Sequence, residues 1–280
     1  MHWQSIVLKI WAYISIAVVV GVVLFLFGYV LSRGASAISW EFLTQAPKGA
    51  VLGQEGGIMP AIVGSLWFTV VACILGAIPA IASAIYLTFI CTKPAIASAL
   101  RATIQLMSGI PSIVLGLFAY SLLIRDLGWG RCILSSSVAL AIMILPFIEV
   151  RVEKGLRELP TEMVESALAL GCSMFYTIRT IVLPASRGSI WGAITLGACY
   201  AMGATAPLIF TGAVAFADVP TSVMQPAMAL PLHLYLLVAQ GHTSLDLAYG
   251  TAFVMMALVL IGNIAVWAYS RWSVKQWMRS

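Results

Sequence analysis

Apolar residues run through this chain in six long, nearly uninterrupted stretches, near Ile10–Leu31, Ala61–Ile90, Ala102–Ile124, Cys132–Val150, Ser189–Ala213 and Leu247–Tyr269. A helix needs about 20 apolar residues to cross about 30 Å of hydrocarbon, so each stretch reads as a membrane span. The second is long enough to tilt, or to bend at Pro79, where a backbone donor is missing and the preceding turn is crowded. The first follows Lys9 and precedes Ala35-Ser36-Ala37, which resembles a signal-peptide cleavage site. Its 22 apolar positions exceed the roughly 7–15 of a cleavable core, so it is expected to remain as a span.

The polar interruptions organise the rest. A long loop between the first two spans carries Gly, Pro and aromatic residues suited to short interfacial pieces, and RDLGWGR makes a tight turn after the third. The longest polar segment runs from Arg151 to Gly188, and a second long loop, with Pro220, Pro226 and Pro231, runs from Val214 to Asp246. No soluble domain fits between these pieces, so residues 1–280 read as one transmembrane domain.

Composition agrees. The 280 residues are 61% hydrophobic and 9% charged, against about 25% charged in soluble domains. With the N-terminus inside, eleven of the fifteen lysines and arginines fall in inner segments and four, Arg33, Lys48, Arg125 and Arg131, fall outside. That bias places both termini in the cytoplasm and makes the net charge of +5 a topology signal. No compact basic run points to nucleic acid.

Candidate chemistry is sparse. The five cysteines have no CxxC spacing and no apparent oxidising-side pair, so they read as small apolar residues. His233 and His242 share the last outer loop, where a solvated or interfacial role is expected rather than a metal site. GxxxxGK[ST], HExxH and GxSxG are all absent, which excludes a resident P-loop and the usual intramembrane hydrolysis. Energy for any driven work must come from another chain.

The segment 151–188 has its own logic. Thr161 is placed to cap a helix whose first turns carry Glu162 and Glu165, where the helix dipole favours carboxylates. Gly171 is placed to close it in a left-handed conformation. A second helix is predicted from Ser173 to Val182, with Phe175, Ile178, Ile181 and Val182 on one apolar face, stopping before Pro184. The product is a helix-turn-helix at the inner surface, either an anchor to lipid headgroups or a knob to be gripped from the cytoplasm.

Glu165-Ser166-Ala167, three residues to Gly171, nine more to Ile181, and one to Leu183-Pro184 resembles the EAA loop of ABC importer permeases, with Ser166 alone off the consensus. The stretches GGIMPAIVGSLWFTV, SGIPSIVLGLF, LRELPTEMVESALALG and GATAPLIFTG resemble the phosphate-specific branch of that family, the PstA/PstC type. The resemblance implies an all-α type I permease fold of six transmembrane helices in the bacterial inner membrane, with Glu165, Ser166, Ala167, Gly171, Ile181, Leu183 and Pro184 as the element gripped by an ATPase. It also implies an ATPase dimer that holds ATP and magnesium, a sister permease or a second copy, an extracytoplasmic binding protein, and no cofactor in this chain.

Two further segments bear on cargo. Ser108-Gly109-Ile110-Pro111-Ser112 and Gly203-Ala204-Thr205-Ala206-Pro207 put Gly and Pro at membrane depth. Such breaks are tolerated where the freed backbone faces protein or a wet cavity, and in transporters they mark substrate sites. Close packing of small residues is the competing reading. The phosphate branch reads G-R-A-x-G-E-T-A-P here, whereas Tyr200 and Ala204 replace its arginine and glutamate. The departure leaves three readings open: phosphate import with the charged pair on a sister subunit, import of another oxyanion or small solute, and a permease-like sensor.

Overall fold

The computed structural model describes the chain except Met1, residues 49–51, Gln54, residues 242–244 and residues 278–280; for residues 2–5 and 271–277 it describes the backbone alone. Helix α1 (His2–Gly34) is followed by the short α2 (Trp40–Thr44), whose N-cap Ser39 hydroxyl accepts from the Phe42 N–H at 3.0 Å. A two-residue hairpin, β1 (Pro47–Lys48) and β2 (Glu55–Gly56), leads to α3 (Met59–Ile85), which continues as a wide turn to Ile90. Pro79 lies inside α3 without ending it. Then come α4 (Pro94–Ser108), α5 (Ser112–Ala119, widening to Asp126) and α6 (Ile133–Arg157).

Helix α6 is the centre, with α3 and α10 (Arg187–Gly203) packed along it. On α3, Phe68, Ala72, Gly76, Ala80 and Ala84 recur every four residues and meet Leu140, Ile144 and Ile148, also four apart, on α6. Lipid tails are as apolar as leucine, so such contacts are held by close packing, and small residues let the backbones approach. Ser137 donates to the Phe68 carbonyl at 3.3 Å, and Thr211 donates to Ser136 at 2.9 Å. These bonds satisfy hydroxyls that have no access to water.

Among the described residues, four helices are long and apolar enough to cross a membrane: Ile6–Ala37, Met59–Ile90, Ile133–Arg157 and Leu245–Ser270. A fifth appears if Pro94–Ser108 and Ser112–Asp126 form one span, but these are bent by 96°. The third span expected over Ala102–Ile124, with a break at Gly109 and Pro111, is two arms at a wide angle, the first of which begins at Pro94. The expected fifth span, Ser189–Ala213, is likewise two pieces, α10 and α11 (Ala206–Thr211), separated where Ala204 is extended. The expected fourth span does not stop at Val150 but runs on through its charged turns to Arg157.

The long loop after α11 returns over the start of α6. Its Val223 and Gln225 carbonyls accept from Leu134 and Ile133 at 2.9 Å each, which satisfies the start of α6. Its apolar helix α12 (Leu230–Ala239) packs on α13 (Leu245–Trp277) and α3. His233 is accordingly buried, with Nδ1 3.4 Å from the Thr251 hydroxyl, and burial lowers its imidazole to about 4. That burial corrects the solvated or interfacial role expected from sequence. His242 lies outside the described residues.

Candidate functional site

Two regions collect the residues singled out from sequence. The first is the turn of helices beyond α6. Helix α7 (Thr161–Ala169) begins one residue earlier than expected: Pro160 occupies the N-cap position, and Thr161 is the first helical residue with no side-chain cap bond. Proline's fixed φ and missing N–H suit that boundary. Gly171 closes the helix at φ +84°, with Cys172 N–H donating to Ala167 O at 3.1 Å and Gly171 N–H to Leu168 O at 3.0 Å. This pair of bonds is the Schellman closure, which needs a left-handed residue that only glycine adopts without strain.

Helix α8 (Met174–Thr177) starts on Ser173, whose hydroxyl accepts from the Tyr176 N–H at 3.3 Å. It widens into a π turn over Ile178–Val182 and passes directly into α9 (Leu183–Ala185). The expected stop before Pro184 is thus a correction. A π turn loosens the ladder, and Pro184 falls in the first turn of the next piece, where a missing N–H costs nothing.

Of the residues in this motif, Ala167 is buried, Ile181, Leu183 and Pro184 are half-buried, and Glu165, Ser166 and Gly171 are exposed. Phe175, expected on the apolar inner face with Ile178 and Val182, is instead 74% exposed, and Leu170 is 85% exposed. With Leu168 and Tyr176 they form an apolar rim beside Glu162 and Glu165. A cavity of about 340 Å³, lined by Thr88, Phe89, Leu156, Leu159, Val164 and Glu165, separates this knob from the end of α3.

The second region holds the two helix breaks, and the helices that follow them, α5 and α11, pack on each other. Gly116 on α5 lies against α11 so closely that a Cβ there would stand 2.9 Å from Pro207 Cα and 3.2 Å from Ala206 O. Ser108 spends its hydroxyl on the Gln105 carbonyl at 2.7 Å, so it is not a donor awaiting a ligand. Gly109 and Pro111 are exposed at the bend, while Ser112 and Thr205 are half-buried. Gly203 is the exposed last residue of α10, and Pro207 is buried in the α11 contact. Tyr200, 48% exposed, packs its ring on Phe147 with centroids 4.7 Å apart and makes no hydrogen bond among the described residues. The face is polar only through hydroxyls and backbone, with no charge at positions 200 or 204.

Sequence reasoning missed two cationic arrangements. Arg131 Nη2 donates to the Ile209 and Ala213 carbonyls at 2.6 and 3.1 Å, holding the end of α11. On α6, Glu153 gathers Arg101 and Arg157. The signal was present in Glu153 and Arg157, which stand at helical i, i+4 spacing.

The sequence profile described as "Binding-protein-dependent transport system inner membrane component" matches residues 80–275. The chain is 30% identical over 267 residues to the phosphate transport system permease protein PstA 2 of Mycobacterium bovis, covering 92% of this chain and 87% of that one. It is 25% identical over 270 residues to the probable ABC transporter permease protein YqgI of Bacillus subtilis, covering 91% and 90%. Its fold is similar to a bacterial ABC transporter involved in the import of the acidic polysaccharide alginate, with a TM-score of 0.63, 16% identity, and coverage of 96% of this chain and 98% of that one.

Proposed function

The chain belongs to the family of binding-protein-dependent transport system inner membrane components, as a permease subunit of an ABC importer, and on that premise we propose that its cargo is inorganic phosphate. The family works with an ATPase and a binding protein. In this reading the residues 151–188 dock on a dimer of ATPase chains, which hold ATP and magnesium. A sister permease completes the pathway, and an extracytoplasmic protein delivers the anion. Both termini lie in the cytoplasm.

The observation that carries the coupling role is the Gly171-closed knob with its exposed Leu170 and Phe175 rim. An apolar patch beside carboxylates, at the basic end of the spans, suits a protein cleft better than the surface of anionic lipids. ATP-driven closure of the motor would then move the knob and rock α6 and the broken helices as rigid bodies.

Phosphate as cargo is supported by the similarity to PstA 2. Because phosphate carries one to two negative charges, and positions 200 and 204 are uncharged, the cationic contact is assigned to the sister permease. Substrate-facing groups here are then Ser112, Thr205 and the backbone at Gly109, Pro111 and Gly203, with Ser108, Tyr200 and the buried Pro207 beside them. Uptake of radiolabelled phosphate by cells with and without the gene, in competition with other oxyanions, tests this. Loss of phosphate uptake on deletion is expected; unchanged uptake of phosphate with loss of another anion overturns the cargo.

The same neutral face favours a second reading, a sensor that binds the transport machinery without carrying solute. Unchanged uptake of every anion in the deletion strain would select it. Under the import reading, Tyr200→Arg with Ala204→Glu alters uptake.

A further inference from the structure

Two carboxylates stand one turn apart near the basic end of α6, and their surroundings differ. Glu153 Oε1 accepts from Arg101 Nε at 2.9 Å, Arg157 Nε at 3.0 Å and Arg157 Nη2 at 2.8 Å. Glu149, only 1% exposed, has no hydrogen-bond partner for its buried Oε1, although Arg101 and Glu153 are within electrostatic reach. A buried carboxylate without a partner is costly, and two arginines on one carboxylate with none on its neighbour leave a ready second arrangement.

The elements involved give that arrangement a use. Arg101 belongs to α4, the arm that ends at Ser108 and the 96° bend. Arg157 is the last residue of α6, three before Pro160 and the knob. Glu153 therefore ties the pathway arm and the root of the knob to one carboxylate. Glu149 offers α4 an equivalent anchor one turn away along the same helix face.

We propose that Glu149 is a second station for Arg101: in the other conformation of the transport cycle the Arg101 guanidinium leaves Glu153 for Glu149, while Arg157 stays on Glu153. Arg101 and Glu149 are then a positioning pair that gives α4 two registers on α6, about one helical turn apart. Arginine fits this role because it stays charged and carries several donors in a fixed fork. The inference rests on the reading that residues 151–188 transmit the motion of the ATPase.

The test uses the complete complex, reconstituted with its ATPase and binding protein. Glu149→Gln, which keeps the shape but removes the charge and turns one acceptor oxygen into a donor NH2, is expected to lower uptake about tenfold while assembly is retained, a size typical of coupling between distant sites. Glu149→Asp is expected to recover most of it, and Arg101→Gln with Glu149→Gln to be no worse than Arg101→Gln alone. With the native cysteines replaced, cross-linking of Arg101→Cys to Glu149→Cys is expected to rise, and to Glu153→Cys to fall, when ATP is trapped by a hydrolysis-deficient ATPase. The cross-linking readout stands even if Glu149→Gln assembles poorly. Wild-type uptake in Glu149→Gln, multiplying losses in the double variant, or cross-linking ratios equal in both states overturns the proposal. If Gly171→Val uncouples the complex while Glu149→Gln is silent, only the second station fails; if Gly171→Val is also silent, the coupling reading fails with it.

Discussion

The knob at residues 151–188 and the paired helix breaks at 109–111 and 204–205 are built from opposite materials. The knob has fixed ends: a Schellman closure at Gly171, a serine cap at Ser173, and an exposed rim of Leu170, Phe175 and Tyr176. The breaks have almost no side-chain chemistry: their polar groups are hydroxyls and backbone, exposed at Gly109, Pro111 and Gly203 and half-buried at Ser112 and Thr205. A part that is gripped by another protein must hold one shape. A part that passes solutes must offer weak contacts that can be left as easily as entered. Under the proposed function, the difference fits a knob through which the chain is driven and a neutral face that says little about what it carries.

Variants at the two regions should therefore fail in different ways. The largest effect is expected from Gly171→Val, since a left-handed β-branched residue costs roughly 1–2 kcal/mol or more and dissolves the closure. ATP hydrolysis stimulated by the binding protein should fall about tenfold, with membrane insertion intact. Gly116→Leu should come next, because overpacking of the contact with Pro207 costs roughly 1–3 kcal/mol. Here uptake falls while the ATPase still copurifies, and loss of copurification would blur the division between regions.

Ser173→Ala removes a cap generally worth about 0.5–2 kcal/mol, and the 3.3 Å bond places it at the low end. Limited proteolysis at the knob should quicken, with coupling reduced only about twofold. Tyr200→Phe is the smallest change. Its hydroxyl makes no bond among the described residues, and its ring contact with Phe147 is kept, so uptake should stay within about twofold of wild type. A large loss would show that the hydroxyl meets cargo.

Legibility in the sequence followed the same division. Gly171 was readable because a left-handed closure selects for one residue type, and the apolar runs were readable because span length is set by the bilayer. The unbroken continuation through Pro184 was not, since a π turn has no composition of its own and the proline sits where its missing donor is harmless. The extension of α6 past Val150, through Glu153 to Arg157, was also hidden. Charge in a span looks like its end unless a residue far away, here Arg101, is known to meet it. The inward fold of the loop over α6 depended on backbone carbonyls at Val223 and Gln225, which side-chain patterns do not report.

The most direct test of coupled import is ATP hydrolysis by the reconstituted complex with and without cargo-loaded binding protein, in wild type and in Gly171→Val. Several-fold stimulation in wild type, lost in Gly171→Val, is the predicted result. Equal hydrolysis with and without the loaded binding protein in wild type, or undiminished stimulation in Gly171→Val, would contradict it.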